Sequence, residues 1–170
     1  MYGILFSQSS FVVTLYSSNV IHLTTFQLGL MFSIFLLVDS QLRIPFGMMA
    51  DRWDKKKIII VSWLGEMTLM MVYAYSMGPV FALASFAAWT AFGALDGPAI
   101  SALLGIVTKM ETRGVSLGFF NTFSSIVAIP APIIAGFLYS IQAILPFFAL
   151  LIIDGIAFLF FLRFINLKKP

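Results

Sequence analysis

The chain has 170 residues, of which 61% are hydrophobic and only 10% are charged, and its mean hydropathy is +1.02. Soluble domains carry roughly 25% charged residues, so the composition excludes a water-covered surface and indicates a polytopic membrane protein. The net charge of +3 does not indicate nucleic-acid binding, because the basic residues lie in short segments beside apolar runs, where they set membrane orientation. The lack of cysteine excludes disulfides and thiolate metal sites.

Six runs are long and apolar enough for a spanning helix, which needs about 20 such residues. They lie near residues 2–20, 26–50, 58–77, 80–107, 115–139 and 143–164. The predicted fold class is an all-α membrane protein with six transmembrane helices, forming a single unit over residues 1–170. Apart from Arg43, the Lys and Arg residues follow the second and fourth runs or close the last one. Both termini are therefore predicted to be cytoplasmic.

The first run is the most polar of the six. Ser7, Ser10, Thr14 and Ser17 recur at steps of three and four, with Gln8 beside them. This spacing places them on one face of a helix. Such a face either forms hydrogen bonds between helices or lines a water-facing cavity, and the pattern leaves both possibilities open.

The second run carries two opposite charges four residues apart, Asp39 and Arg43. This spacing predicts an i,i+4 ion pair, which would offset part of its own desolvation, and both residues are candidates for a coupling or substrate cavity. Pro45 frees backbone groups that neighbouring helices or water must satisfy. Gly47 leaves a notch on the same helix.

Three further acids lie inside later runs: Glu66, Asp96 and Asp154. On insertion scales a charged group at the bilayer centre costs about 2.5–3.5 kcal/mol, and Arg43 can neutralise only one carboxylate. The remaining acids are therefore protonated, because burial favours the neutral form, or they face water or a bound cation. A carboxyl group that takes up and releases protons is what a proton-coupled carrier requires. For Glu66 and Asp154, protonated acids in interhelical hydrogen bonds are an equal alternative.

Five residues with a characteristic spacing lie at the junction of the second and third runs: Gly47, Asp51, Arg52, Lys56 and Lys57. This pattern resembles the signature loop between helices 2 and 3 of the major facilitator superfamily. Asp54 stands where the family usually has glycine, and we expect a turn conformation there that Asp tolerates. Further family-like segments follow in the right order over nearly the whole chain: Gln27–Leu30, Gly97–Ala99 and Glu111–Gly114.

The resemblance implies one half of the superfamily fold, built from two inverted three-helix repeats. Helices 1 and 4 would line a central cavity, which places Asp96 and the polar face of the first run there, with Glu66 and Asp154 less central. Helices 2 and 5 would face the other half, and Gly47 would allow its close approach. Asp51 would stabilise the outward-facing state at the positive N-terminus of a helix in the opposite half.

The same resemblance implies a cytoplasmic charge network that breaks when the carrier opens. Its members would be Arg52, Lys56, Glu111 and Arg113. Trp89 stands about where many proton-coupled members have an arginine, which weakens proton coupling unless Asp96 substitutes. Residues 131–136 resemble the Gly-Pro-x-x-Gly-Gly element of drug/proton antiporters, with alanine in two glycine positions, and lean towards antiport.

The predicted function is a secondary active transporter of the cytoplasmic membrane that moves a small solute by alternating access, coupled to a cation or proton, without a cofactor. A complete carrier has twelve helices, so we expect a partner half from the same parent chain, a homodimer or a separate subunit. The start at Met1, almost directly on apolar sequence, favours a longer parent. The alternative is a non-transporting or truncated six-helix subunit that packs against a second half.

An intramembrane enzyme is the third possibility, since residues 114–118 match the Gly-x-Ser-x-Gly pattern around Ser116. That pattern requires a strand-to-helix turn, whereas here it opens a spanning helix. His22, the one histidine in the chain, is predicted on the opposite membrane face and cannot serve Ser116 as a base. The sequence therefore does not predict an enzyme.

Overall fold

The computed structural model describes residues 2–108, 111 and 113–164. All regular structure in this part of the chain is helical. The seven helices are α1 (Tyr2–Asn19), α2 (Thr25–Arg52), α3 (Lys55–Ala74), α4 (Pro79–Val107), α5 (Arg113–Ala128), α6 (Ala131–Ile141) and α7 (Leu145–Phe164). Their ends lie close to the ends of the predicted runs, except that the fifth run is two helices.

Local sequence explains where several helices begin. Thr24 and Gln27 form a capping box at the start of α2, in which each side chain accepts a hydrogen bond from the backbone N–H of the other. Gly78 adopts a φ of 94° directly before α4, a conformation that glycine adopts without strain. Pro79 then occupies the first position of α4, where its missing N–H costs nothing.

The prediction of one continuous fifth helix is wrong. The chain makes a turn at Ile129 and Pro130 between α5 and α6, because proline removes a helical hydrogen bond and its ring clashes with the preceding turn. The backbone N–H of Ile129 bonds to the carbonyl of Ile126 at 3.2 Å, which tightens the end of α5. Together α5 and α6 form one stretch long enough to cross a membrane.

Among the residues that the structure describes, five stretches are long and apolar enough to cross a membrane: Thr25–Arg52, Lys55–Ala74, Pro79–Ile106, Gly114–Ile141 and Leu145–Arg163. The first helix, α1, is not among them, since eight of its 18 residues are Ser, Thr, Gln or Asn. It nevertheless packs along α5 and α6 within the bundle. A sixth crossing by α1 therefore remains a prediction.

Part of the helix packing repeats between the two halves of the chain. If the first three spans are matched in order with the last three, the contact of α2 with α4 corresponds to the contact of α5 and α6 with α1, and the α3–α7 contact corresponds to itself. These matched contacts are those expected of two three-helix repeats. The extensive α3–α4 contact has no counterpart of similar extent between α7 and α1.

Two apolar clusters lie at opposite ends of the bundle. The basic end, which carries Arg52 to Lys57, holds a cluster that includes Ala50, Ile59 and Phe161. The far end, which carries His22 and Gly78, holds a larger one. Its fully buried members include Met31, Tyr73 and Phe147. Polar side chains of α3 and α4 lie between the two clusters, near the middle of the helices.

Candidate functional site

The candidate residues fall into four places: the exposed side of α2, the basic end, the α3–α4 contact and the polar face of α1. On α2, Asp39, Arg43, Gly47 and Asp51 follow one another at steps of four. At about 100° per residue these four positions span roughly a third of the helix circumference. We call them the α2 strip.

The predicted ion pair is present on the α2 strip. Arg43 donates from Nε to Oδ2 of Asp39 at 2.9 Å, and its Nη2 lies 2.8 Å from the same oxygen. The Arg43 side chain is 68% exposed and that of Asp39 is 24% exposed. A Cβ built at Gly47 would meet no atom within 4 Å, so no described residue fills its notch. Asp51 is exposed at the end of the strip.

The expected turn conformation at Asp54 is wrong. Asp54 has an extended backbone (φ −64°, ψ 109°) and is the N-cap of α3. Its Oδ1 accepts hydrogen bonds from the backbone N–H groups of Lys56 and Lys57, at 3.0 and 3.4 Å. Because Asp is among the best N-cap residues, it replaces the usual glycine by starting the next helix directly. Only Trp53 and Asp54 remain as a loop, since Lys55–Lys57 form the first turn of α3.

The predicted cytoplasmic charge network is not formed among the described side chains. Asp51, Arg52, Lys57 and Glu111 are exposed, Lys56 is half-buried, and none of them makes an ion pair with another described residue. Arg113 begins α5 at the same end of the bundle, but its side chain lies outside the described part. Lys109, Lys168 and Lys169 also lie outside it. The network remains a prediction.

Hydrogen bonds between α3 and α4 form what we call the polar seam: Ser62, Trp63 and Glu66 of α3 with Phe92, Gly93 and Asp96 of α4. Ser62 Oγ lies 2.6 Å from the carbonyl oxygen of Phe92 and 3.2 Å from Oε1 of Glu66. Trp63 donates from Nε1 to Oδ2 of Asp96 at 3.1 Å. The carboxyl groups of Glu66 and Asp96 therefore each form a hydrogen bond with a side chain of α3.

The seam buries Asp96 almost completely, at 4% exposure. Its side chain contacts α3 through Trp63, whereas the sequence predicted that it would face a central cavity. The other carboxylate oxygen, Oδ1, is buried without a hydrogen-bond partner among the described residues. Trp63 was not singled out in the sequence analysis. The indole ring also packs, against Phe158 and Phe161 of α7.

The other two acids lie beside the same seam. The Glu66 carboxyl group faces Gly93, where an added Cβ would lie 3.7 Å from its Cδ. The carboxyl group of Asp154, on α7, is close enough to interact electrostatically with Glu66. Asp154 is only half-buried. These residues, predicted to be less central than Asp96, therefore share its neighbourhood.

Of the polar face of α1, the structure describes the side chains of Thr14 and Ser17, but not those of Ser7, Gln8 and Ser10. Ser17 is fully buried and forms a hydrogen bond with the hydroxyl of Tyr73 on α3. Tyr16 donates to the carbonyl of Ala74 at 2.6 Å. The end of this face therefore forms hydrogen bonds between helices, one of the two possibilities predicted.

The hydrolase pattern has no catalytic surroundings. Ser116 lies in the first turns of α5 at the basic end, while His22 lies between α1 and α2 at the far end. A base must lie within hydrogen-bond reach of its nucleophile, and here the length of the bundle separates the two. Within the described residues, no group of three His, Cys, Asp or Glu side chains could hold a metal ion.

Comparison with known proteins adds a family to this geometry. The sequence profile of the Major Facilitator Superfamily matches residues 1–170. The chain is also similar to the protein named "Uncharacterized MFS-type transporter MJ1317" from Methanocaldococcus jannaschii, with 26% identity over 136 residues. That alignment covers 78% of this chain but 33% of the relative. The chain thus spans about a third of the length of the relative that it matches.

Proposed function

The chain belongs to the major facilitator superfamily, and from this premise we propose that it forms one half of a secondary active transporter. It moves a small solute across the cytoplasmic membrane by alternating access, in which one half rocks against the other around a shared site. A second six-helix half completes the carrier. It is supplied by the same parent chain, by another copy or by a separate subunit.

The observation that carries this proposal is the exposed ion pair halfway along α2. At a rise of 1.5 Å per residue, Asp39 lies about 20 Å from either end of the helix. A charged group at the bilayer centre costs about 2.5–3.5 kcal/mol on insertion scales. Pairing offsets part of this cost, but the Arg43 side chain is 68% exposed and its remaining N–H groups need acceptors. Water or a polar protein surface can supply them, whereas lipid cannot.

The rest of the α2 strip fits contact with a second half. Small residues let helices approach closely, and the open notch at Gly47 would admit a helix of the partner. Asp51 is exposed below it and makes no ion pair with a described residue. A carboxylate in this place would interact favourably with the positive N-terminus of a partner helix and would stabilise the outward-facing state.

The buried acids support coupling to a cation or proton. Glu66, Asp96 and Asp154 lie near the middle of α3, α4 and α7, and the one ion pair in the described part of the chain engages none of them. Their desolvation is least costly when they are neutral or bound to a cation. A change in their exposure to water during the transport cycle would drive proton or cation uptake and release.

The orientation follows from the positive-inside rule, with the basic end in the cytoplasm. Arg52 ends α2 there, Lys55–Lys57 open α3, and Arg163 lies in the last turn of α7. His22 and Gly78, at the far end, would face the outside. Both termini would then be cytoplasmic.

The test uses the assembled carrier reconstituted in liposomes, after co-purification identifies the second half. A library of small solutes is screened for solute-stimulated proton or cation flux. Asp51→Asn should abolish flux, while Asp54→Asn, a matched amide at the same end, should retain it because asparagine also caps a helix. Equal flux in both variants would refute the role proposed for Asp51. A chain that purifies without any second half and drives no flux would overturn the proposal in favour of a non-transporting subunit.

A further inference from the structure

The polar seam contains a buried carboxylate oxygen that the described structure leaves unpaired. Asp96 is 4% exposed, and Trp63 occupies only its Oδ2. Buried polar atoms are nearly always hydrogen-bonded, and each exception requires an explanation. An ionised Asp96 would keep a charge halfway across the bundle with one oxygen unsatisfied, which is costly in a low-dielectric interior.

A second carboxyl group occupies the same level of the seam. In a helix the Cα–Cβ bonds tilt towards the N-terminus, so Glu66 leans towards Ser62, and the 3.2 Å contact with Ser62 Oγ agrees with this direction. Asp96 leans towards Gly93, which the Glu66 carboxyl group faces from α3. The two helices run antiparallel, and no described cationic side chain pairs with either acid. An ionised carboxylate at this level of the seam would therefore need a compensating cation.

The packing of the seam favours a proton over a metal ion as that cation. Metal ions such as Ca²⁺ require six to eight oxygen ligands at about 2.3–2.6 Å, which need space around the carboxylates. The Phe92 ring packs so closely on Gly65 that a Cβ added to Gly65 would lie 2.0 Å from Cδ1 of the ring. The indole of Trp63 and the rings of Phe158 and Phe161 fill the side towards α7. A proton needs no such space.

We propose that the polar seam is a proton-binding site inside this half, with Asp96 as the acceptor and Glu66 as the second carboxyl group. One proton adds to Oδ1 of Asp96 and converts the carboxylate into a neutral acid, and no other bond forms or breaks. Trp63 is a positioning residue that holds Oδ2 and directs Oδ1 into the seam. The site is distinct from the α2 strip, which we assign to the contact with the second half and the water or polar surface beside it.

Protonation of this site is linked to the packing of α3 against α4. A closed seam favours the neutral acid, and a seam that admits water allows the carboxylate to form. On the proposed function, on which this role depends, the transport cycle alternates between these states. Other charged groups near the seam are accounted for: Asp39 and Arg43 of α2 pair with each other, and Asp154 of α7 lies beside Glu66. Lys55–Lys57 lie at the basic end of α3, away from the seam.

The experiment uses Trp63 as a reporter, because its N–H is bonded to the group that titrates. Replacing the other two tryptophans, Trp53→Phe and Trp89→Phe, leaves Trp63 as the only one in the full chain. In liposomes, its emission should change with pH in a single transition, and Asp96→Asn should abolish that transition. The matched control, Asp54→Asn at the basic end, should leave it intact. Infrared spectra should show a carboxylic-acid band that Asp96→Asn removes.

Two further variants keep the test decisive. If Asp96→Asn does not fold, Asp96→Glu, which retains an acid, should fold and still titrate, while Glu66→Gln should alter the transition. A flat Trp63 signal at all pH values, or a transition that survives Asp96→Asn, would overturn the proton site even if the carrier transports solute. A Trp63 transition that depends on Asp96 in a carrier without any flux would instead overturn the proposed function and leave the site standing.

Discussion

Substituting Gly65 by alanine should loosen the contact between α3 and α4. The added Cβ would lie 2.0 Å from Cδ1 and 2.5 Å from Cγ of Phe92, so the whole ring must move. The ring cannot retreat freely, because the carbonyl of Phe92 accepts the Ser62 hydroxyl at 2.6 Å. Overpacking destabilises a fold by about 1–3 kcal/mol, whereas alanine stabilises a helix by about 0.5–1 kcal/mol relative to glycine. The net loss should be about 0–2.5 kcal/mol.

Two other glycines provide matched controls for this substitution. A Cβ at Gly29 in α2 or at Gly155 in α7 would meet no atom within 4 Å. Alanine at either position should therefore leave the free energy of unfolding unchanged or raise it by up to about 1 kcal/mol. The assay is equilibrium unfolding in mixed detergent micelles, followed by tryptophan fluorescence.

A second substitution separates the clash from other effects of Gly65→Ala. Phe92→Ala removes the ring atoms that the new methyl group would meet, so Gly65→Ala should destabilise the Phe92→Ala background less than the original chain. Residues in contact show coupling energies of about 0.5–3 kcal/mol in such cycles. The explanation is refuted if Gly65→Ala unfolds like the two control variants, or if its effect and that of Phe92→Ala simply add.

Three further predictions follow from single contacts. Asp54→Ala should cost about 0.5–2 kcal/mol of unfolding free energy by removing the α3 cap, Asp54→Ser should restore most of it, and equal stability of the two would contradict the capping role. Asp39→Asn leaves Arg43 unpaired, so it should lower the free energy of unfolding more than the double change Asp39→Asn and Arg43→Gln does. A larger loss in the double variant, measured in the same unfolding assay, would be inconsistent with the ion pair. Trp53→Cys should react with an impermeant thiol reagent only from the cytoplasm, and Tyr75→Cys only from outside; labelling from the opposite sides would reverse the orientation.

The sequence predicted most of the fold because the membrane constrains it strongly. Apolar runs of sufficient length must form helices that satisfy their own backbone hydrogen bonds, so helix number and approximate ends follow from hydropathy. The break before α6 was missed, since proline is tolerated in many spanning helices and the sequence does not show when a turn replaces a kink. At Asp54 the resemblance directed attention to the missing glycine, although the residue itself is a strong N-cap signal.

The candidate site was predicted less completely than the fold. The Asp39–Arg43 pair was predicted correctly because both residues lie on one helix at a fixed spacing. The polar seam was not, because it depends on how α3 and α4 are rotated about their own axes. Hydropathy does not determine this rotation in a helix that is apolar on most sides. The roles of Gly65 and Trp63 therefore could not be predicted from the sequence. The one feature that indicates close packing is a glycine opposite an aromatic-rich helix.

The most direct test of the central claim asks whether the α2 strip faces water at mid-membrane. The chain has no cysteine, so single cysteines can be placed without background at Arg43 and at Leu64, an exposed apolar residue of α3. Both positions are nine residues, or about 13 Å, from the basic end of their helices. With Asp39→Asn in both variants, a membrane-impermeant thiol reagent should modify Arg43→Cys much faster than Leu64→Cys. Equally slow modification of the two would show that water does not reach Arg43 and would contradict a water-facing strip.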